Sequence, residues 1–407
     1  MSTALGIEQV EQARRRLKDV AKPTPLIRSA TLERMLGTEI WLKPENLQKT
    51  GSFKIRGAYN RIAALQPAES ARGVIAASAG NHGQALAWAA TRAGVRATIV
   101  MPTTGAIAKI DATRSYGQEV VLAGADYQQA RQAAEELRAR SGALFVDAYD
   151  DPFVIAGQGT IGIEIAEACR PDVVLVPVGG GGLIAGMALA LEARVPDAEL
   201  IGVEAAGSPQ LSVSLGRGAP ATIPNPVDTI ADGLATGALG KLPFEILKHR
   251  LRRTVTVNDF EIGEAVLLML ERLKLLAEGA GAAALAGALK LKDELAGKRV
   301  VIVITGGNID INLLDSIIAH GLAKLGRMMR FALDIHDRPG ELAKLLTLVG
   351  GTGANVRTIE HSRSRRDIPI GWTRVMLELE TRGPEHIEAV LRELREHRYQ
   401  PISEPGS

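Results

Sequence analysis

The chain has 407 residues, 46% of them apolar and 23% charged, with a net charge of +2. That is the composition of a folded globular protein too long for one compact core, and its near-neutral balance gives no electrostatic basis for a nucleic-acid or membrane partner. Aromatic residues are only 3%, so the core must rest on Ala, Val, Ile and Leu, and the single cysteine, Cys169, excludes an intrachain disulfide.

No apolar run reaches the length of a membrane span, and no basic segment followed by an apolar core opens the chain. A cytoplasmic protein is expected, and a reducing compartment accords with its cysteine usage. Along the chain, residues 49–60, KTGSFKIRGAYN, set Lys54 between Phe53 and Ile55, after small hydroxyl residues and before a short helical stretch. An amine so placed can enter a pocket, where burial lowers its pKa and makes it nucleophilic. A lysine snorkelling at a helix start gives the same pattern.

From residue 73 to 305, β-rich runs alternate with Ala-rich helical ones. The strand runs are 73–78, 97–101, 119–123, 144–148, 172–178, 199–204 and 299–305, and the helical ones include 82–93, 127–140, 160–169 and 184–193. Most strand runs are continuously apolar, as in parallel strands covered on both faces. The alternation therefore predicts open parallel sheets flanked by helices. Residues 205–258, rich in Gly and Pro and including Pro224, Asn225, Pro226 and Ala231-Asp232-Gly233, read as long loops lining a site or interface. A long helix is predicted over 259–277. Beyond 319 the pattern changes to β-α-β-β-α with a closing strand at 399–403, a ferredoxin-like βαββαβ unit.

The chemistry gathers at strand ends. The strand 172–178 runs into Gly179-Gly180-Gly181-Gly182, and Leu183 then opens an apolar helix. Glycine lets backbone approach a ligand, and a helix N-terminus presents free N–H groups to an anion. Ser78-Ala79-Gly80-Asn81-His82-Gly83 is a strand-to-helix turn able to hold a carboxylate. Thr305-Gly306-Gly307-Asn308 ends the last apolar strand. In open α/β sheets ligands bind at the carboxyl ends of strands, so these turns can converge on one crevice. An amine, a phosphate cradle and a carboxylate turn together describe a pyridoxal phosphate site.

KTGSFKIRGA, SAGNHGQALA, VPVGGGGLIAG, EGAGAAAL and TGGN resemble the fold-type II pyridoxal phosphate enzymes, and most of all the threonine ammonia-lyases. The tail, with Asp337 to Leu342 and Gly353 to Val356, resembles an ACT domain. The resemblance implies an α/β enzyme of two lobes, tryptophan synthase β-like, over residues 1–318, with a small lobe at about 44–145. A linker at 319–327 and an ACT domain at 328–402 would follow. It implies pyridoxal 5'-phosphate as cofactor, with Lys54 forming the Schiff base and Phe53 packing beside the ring. Asn81 would bond the ring hydroxyl, Gly180, Gly181, Gly182 and Leu183 would hold the phosphate, and Thr305 would pair with the ring nitrogen. Ser78, Ala79, Gly80, Asn81 and His82 would frame the substrate carboxylate.

The implied reaction is dehydration and deamination of L-threonine, and of L-serine, in a homo-oligomer. A branched-chain amino acid would bind near Pro339, Gly340 and Asn355. A metal seen in some relatives is not expected, because Ser208 and Gln210 replace oxygen ligands near Glu204. Alternatives are a serine racemase, disfavoured by Ala79, a hydroxyaspartate dehydratase, cysteine-synthase-type β-replacement, and an amino-acid sensor with a non-catalytic site. Singly, Phe53 can be core packing, Asn81 a helix cap, His82 a structural donor, Glu278 a helix-end acid and Thr305 a strand-end hydroxyl.

Overall fold

The computed structural model describes residues 5–78, 80–223, 229–251, 253–363 and 367–403. It divides into two compact units, Met1–Ile311 and Asn312–Ser407. In the first unit, strands β1 (Ile27–Arg28), β2 (Glu39–Pro44), β7 (Val173–Pro177), β8 (Glu199–Ala205), β9 (Arg253–Val257) and β10 (Arg299–Ile304) form one sheet in the order β1-β2-β10-β7-β8-β9. All its pairings are parallel except β1 with β2. Strands β3 (Val74–Ala77), β4 (Ala97–Met101), β5 (Glu119–Leu122) and β6 (Leu144–Phe145) form a second parallel sheet, ordered β5-β4-β3-β6. These are the large and small lobes. The apolar β7 and all of β10 beyond Arg299 are buried, as strands covered on both faces must be.

The lobes meet through closely packed helices. Helix Pro152–Ala168 lies between Lys54–Ala63 and Gly182–Arg194. A side chain at Gly157 would begin 2.5 Å from the Arg56 carbonyl oxygen and 2.7 Å from Gly57 Cα. The small residues of this helix therefore set how near the Lys54 helix comes.

Several expectations change in detail. The run 144–148 is strand only at Leu144–Phe145, because the carbonyls of Val146 and Ala148 turn to meet His82 and Lys54. Residues 205–258 are not merely loops: they carry helices Gln210–Arg217 and Lys241–Leu247 and the edge strand β9. The half-exposed edge position of β9 admits the polar alternation RTVTV that hides it. Pro224, Asn225 and Pro226 lie outside the described residues. The helix expected over 259–277 stops at Leu268, widens into a π turn at Met269–Leu273, and ends where Lys274 adopts φ +58°.

In the second unit, β11 (Met328–His336), β12 (Asn355–Ser362), β13 (Trp372–Glu380) and β14 (Ile402–Ser403) make an antiparallel sheet ordered β12-β13-β11-β14. Helices Glu341–Gly351 and Pro384–Glu396 complete the βαββαβ order. Alternate residues of β13, among them Val375, Leu377 and Leu379, are buried with Leu345, Val349, Val390 and Leu394. This is the pattern of a sheet covered on one face. Ahead of β11, helix Ile311–Lys324 extends into the stretch expected as a linker.

Candidate active site

Strand register delivers Lys54 to the carboxyl ends of both sheets. Pro44, last in β2, pairs with Ile304, last in β10. The two chains then run on together: Ser52 bridges Gly306, the Phe53 N–H donates to the Thr305 carbonyl at 3.0 Å, and the Gly307 N–H to that of Gly51 at 2.9 Å. Lys54 opens the helix Lys54–Ala63. Its Nζ donates to the Ala148 carbonyl at 3.1 Å and stands 5.1 Å from the centre of the Phe53 ring. Burial pushes the amine down to about 8, with Asp147 and Glu278 pulling the other way. The residue as a whole keeps partial exposure, while the ammonium is enclosed by protein.

The helix carrying Lys54 is anchored by a buried ionic cluster. Arg56 forks onto Glu45 at 2.7 and 2.8 Å and onto Glu164 at 2.5 and 2.9 Å. Lys43 also donates to Glu164, at 2.5 Å. Burial alone would raise the Glu45 carboxyl; the Arg56 charge more than offsets it and holds the group below its usual range. Fork-on-fork geometry fixes direction as well as distance, so the first turn of the Lys54 helix has one orientation.

The other expected stretches converge on that turn. Tyr149, next to Ala148, lies against the glycine bend: a side chain at Gly180 would begin 2.2 Å from its ring. Gly181 takes φ +89° and no side chain caps the buried start of helix Gly182–Arg194. Free N–H groups there, with Leu183 in the first turn, are a ready anion site. Asn81 does not cap its own helix, whose N-cap is Gly80. Its amide nitrogen donates to Glu278 at 2.5 Å and its oxygen accepts from Asn308 at 2.8 Å. One amide proton remains free for another acceptor. The Thr305 hydroxyl donates to the Ala280 carbonyl at 3.2 Å and keeps its lone pairs.

Ser78 and His82 take supporting roles in the turn. The Ser78 hydroxyl accepts from the N–H of Gly80 at 3.2 Å and of Gly83 at 2.9 Å, shaping the turn from within. His82 meets the Val146 carbonyl through Nε2 at 3.0 Å. Burial, helped by the Lys54 charge, lowers it to about 4. Ala79 lies outside the described residues.

Sequence reasoning weighed Glu278 without giving it a role and passed over Tyr149 and Ser52. Glu278 is a buried carboxyl raised by desolvation to about 7, with Asp232 adding to the rise, and it joins Asn81 rather than serving only as a helix-end acid. Tyr149 and Ser52 also face the site, and the buried Ser52 hydroxyl has no hydrogen-bond partner. Their common signal is position just past the carboxyl end of a strand or beside one. Glu204 accepts from the Leu211 N–H at 2.6 Å, from the Ser212 N–H at 2.9 Å and from the Ser212 hydroxyl. In the second unit, Gly340 (φ +89°) caps helix Glu341–Gly351 with exposed Pro339 before it. Asn355 opens β12 and donates to Glu380 at 3.2 Å.

The residues present fit a phosphate-bearing aldehyde cofactor: a desolvated amine bonded to Ala148, an uncapped, glycine-built helix start against the adjoining Tyr149, and, two residues before the amine, an orphaned buried hydroxyl. Such an arrangement suits a pyridoxal phosphate enzyme that works through a lysine. Residues 17–306 match the family of pyridoxal-phosphate dependent enzymes, and residues 331–398 match the ACT domain. The L-threonine ammonia-lyase of Thermotoga maritima is 47% identical over 392 residues, covering 96% of this chain and 97% of that protein. Threonine deaminase isoform 2 of Solanum lycopersicum superposes with a TM-score of 0.74 at 36% identity, over 77% of this chain and 87% of that one. Maize serine racemase gives 0.74 at 32%, over 79% and 99%. The chain belongs to the pyridoxal-phosphate dependent enzymes and, within them, to the L-threonine ammonia-lyases.

Proposed function

We propose that the protein converts L-threonine to 2-oxobutanoate and ammonia, and L-serine to pyruvate and ammonia, by elimination at the site built on Lys54. The observation that carries this reading is the desolvated Lys54 amine, bonded to Ala148 next to the tyrosine that packs on the uncapped glycine bend, and within the electrostatic reach of Glu278, which Asn81 holds. Lys54, Asn81, the backbone of Gly180, Gly181, Gly182 and Leu183, and Thr305 would hold pyridoxal phosphate, with Phe53 packed beside it. When bound, the cofactor supplies the electron sink that makes a substrate α-proton removable.

The chain's own groups do the rest. With its pKa near 8, Lys54 Nζ has a usable neutral form near neutral pH and takes the α-proton. The uncapped N–H groups of Asn81 and His82, at the start of their helix after Gly80, receive the substrate carboxylate, in a turn braced by the Ser78 hydroxyl. His82, neutral at working pH, steadies the turn through Val146. Thr305 offers a hydroxyl and not a carboxylate, so it cannot balance a full positive charge opposite it. That favours prompt loss of the β-hydroxyl over racemisation. A racemase also needs a second proton carrier on the far face of the substrate, which Ala79 cannot be.

The division into a catalytic part over 1–318 and a regulatory ACT part over 328–402 belongs to the same reading. So do a branched-chain amino acid bound near Pro339, Gly340 and Asn355, a homo-oligomer, and a cytoplasmic location. Support for the division and for the effector comes from the ACT match and the βαββαβ order; no helix among the described residues is long and apolar enough to cross a membrane.

Borohydride reduction of the yellow holoprotein, digestion and mass spectrometry test the assignment. The pyridoxyl mass is expected on the peptide holding Lys54, and Lys54→Ala is expected to lose both the visible absorbance and turnover. Finding that mass on another peptide, or none, refutes it. Rates on L-threonine, L-serine, D-serine and 3-hydroxyaspartate then rank the substrates.

A further inference from the structure

Besides Arg56 with Glu164, another ion pair joins the lobes, beside the Gly80–Asn81 turn, and none of the roles above uses it. Lys109 lies on helix Ile107–Ser115 of the small lobe. Asp232 opens the short helix Asp232–Leu234 of the large lobe. The Lys109 ammonium donates to the Asp232 carboxylate. The lysine side chain is 13% exposed and the aspartate 59%, so the cation depends on its partner far more than the anion does.

Each end is fixed to a part of the site. On the small-lobe side, a side chain at position 80 would begin 3.7 Å from Lys109 Cδ and 3.9 Å from its Nζ. The lysine thus roofs the Gly80–Asn81 turn. On the large-lobe side, a side chain at Gly179 would begin 3.0 Å from the Gly233 carbonyl oxygen, and one at Gly279 would begin 2.5 Å from that of Ile230. The segment 230–233 is therefore wedged between the glycine bend and the turn that carries Glu278. Burial lowers the Lys109 pKa, and the Asp232 charge and hydrogen bond outweigh it, with Glu278 and Asp310 adding to the rise. The lysine stays charged, and its charge is held by the opposite lobe.

We propose that Lys109 and Asp232 are a positioning pair that ties the carboxylate turn of the small lobe to the glycine bend and Glu278 of the large lobe. The pair sets the affinity for the amino-acid substrate and leaves the chemical step to Lys54. It rests on the reading above only for the identity of that substrate. Neither residue need touch the reacting atoms, because the Lys109 ammonium is already engaged by Asp232.

The test uses full-length holoenzyme and L-threonine, with Asp232→Asn, Lys109→Met and the charge-swapped double variant Lys109→Asp/Asp232→Lys. Each single change is expected to raise KM about tenfold with kcat within about threefold, and the swap to recover most of the loss. Raising salt from about 50 to about 500 mM should raise KM in the wild type and leave the single variants flat. Acrylamide quenching of the pyridoxal fluorescence should increase in both single variants and fall back in the swap. A drop in kcat with KM unchanged, or a swap that rescues neither KM nor quenching, overturns the proposal. If wild type does not turn over threonine, the substrate reading fails, and the quenching comparison still decides the pair.

Discussion

Lys54 is the residue on which local chemistry and tertiary setting bear most directly. Its amine drops to about 8 because protein encloses it, against the pull of Asp147 and Glu278. An amine whose folded pKa lies below its ordinary 10.5 costs stability while both folded and unfolded chains carry the proton, that is, below about pH 8. Between about pH 8 and 10.5 the folded chain gives up its proton first and the cost disappears. Cofactor-free Lys54→Met is therefore expected to be more stable than the cofactor-free parent at pH 7, by at most about 3 kcal/mol given the partial exposure of the residue. The gap should close as pH rises to about 10.5. Urea unfolding of both chains across this range checks it, and a gap independent of pH would mean that the amine is not desolvated. His82 shows the opposite economy of charge: held near 4 by burial and by Lys54, it is a neutral strut at every working pH.

At the scale of elements, the site depends on how closely the Lys54 helix approaches helix Pro152–Ala168. Gly157 faces the backbone of Arg56 and Gly57 at distances no side chain tolerates. The neighbouring Arg56 cluster fixes the rotation of the same helix. Gly157→Ala is expected to cost about 1–3 kcal/mol by overpacking and to displace the Lys54 turn, so thermal stability and retained pyridoxal absorbance should fall together. An unchanged melting temperature with full cofactor would show that the two helices can slide apart freely. Strands β3, β4, β7, β8 and β10 were legible because burial leaves continuous apolar runs. β1, β2, β9 and the helices of 205–258 were not, because these short elements mix polar with apolar positions.

For the whole molecule, a catalytic α/β unit and a βαββαβ unit with its own core occupy one chain. Regulation requires that an effector bind two states unequally. Isoleucine or valine is expected to change the activity of the full chain, and a chain ending at Lys324 is expected to turn over threonine with a flat response. Activity titrations of both chains decide this; equal responses would remove the second unit from regulation.

Local patterns in the chain already dictated the parallel strands, the glycine bend, the turns at 78–83 and 305–308, and the βαββαβ tail, because each is a short-range signal of period, bend or cap. Only folding brought Asn81 to Glu278 and Asn308, Lys54 to Ala148, and Lys109 to Asp232. Those partners lie between 94 and 227 residues apart. The sequence left the fall of the Lys54 pKa as one of two readings and gave no sign of the rise of the Glu278 pKa, since desolvation is a property of what surrounds a group and not of its neighbours in the chain.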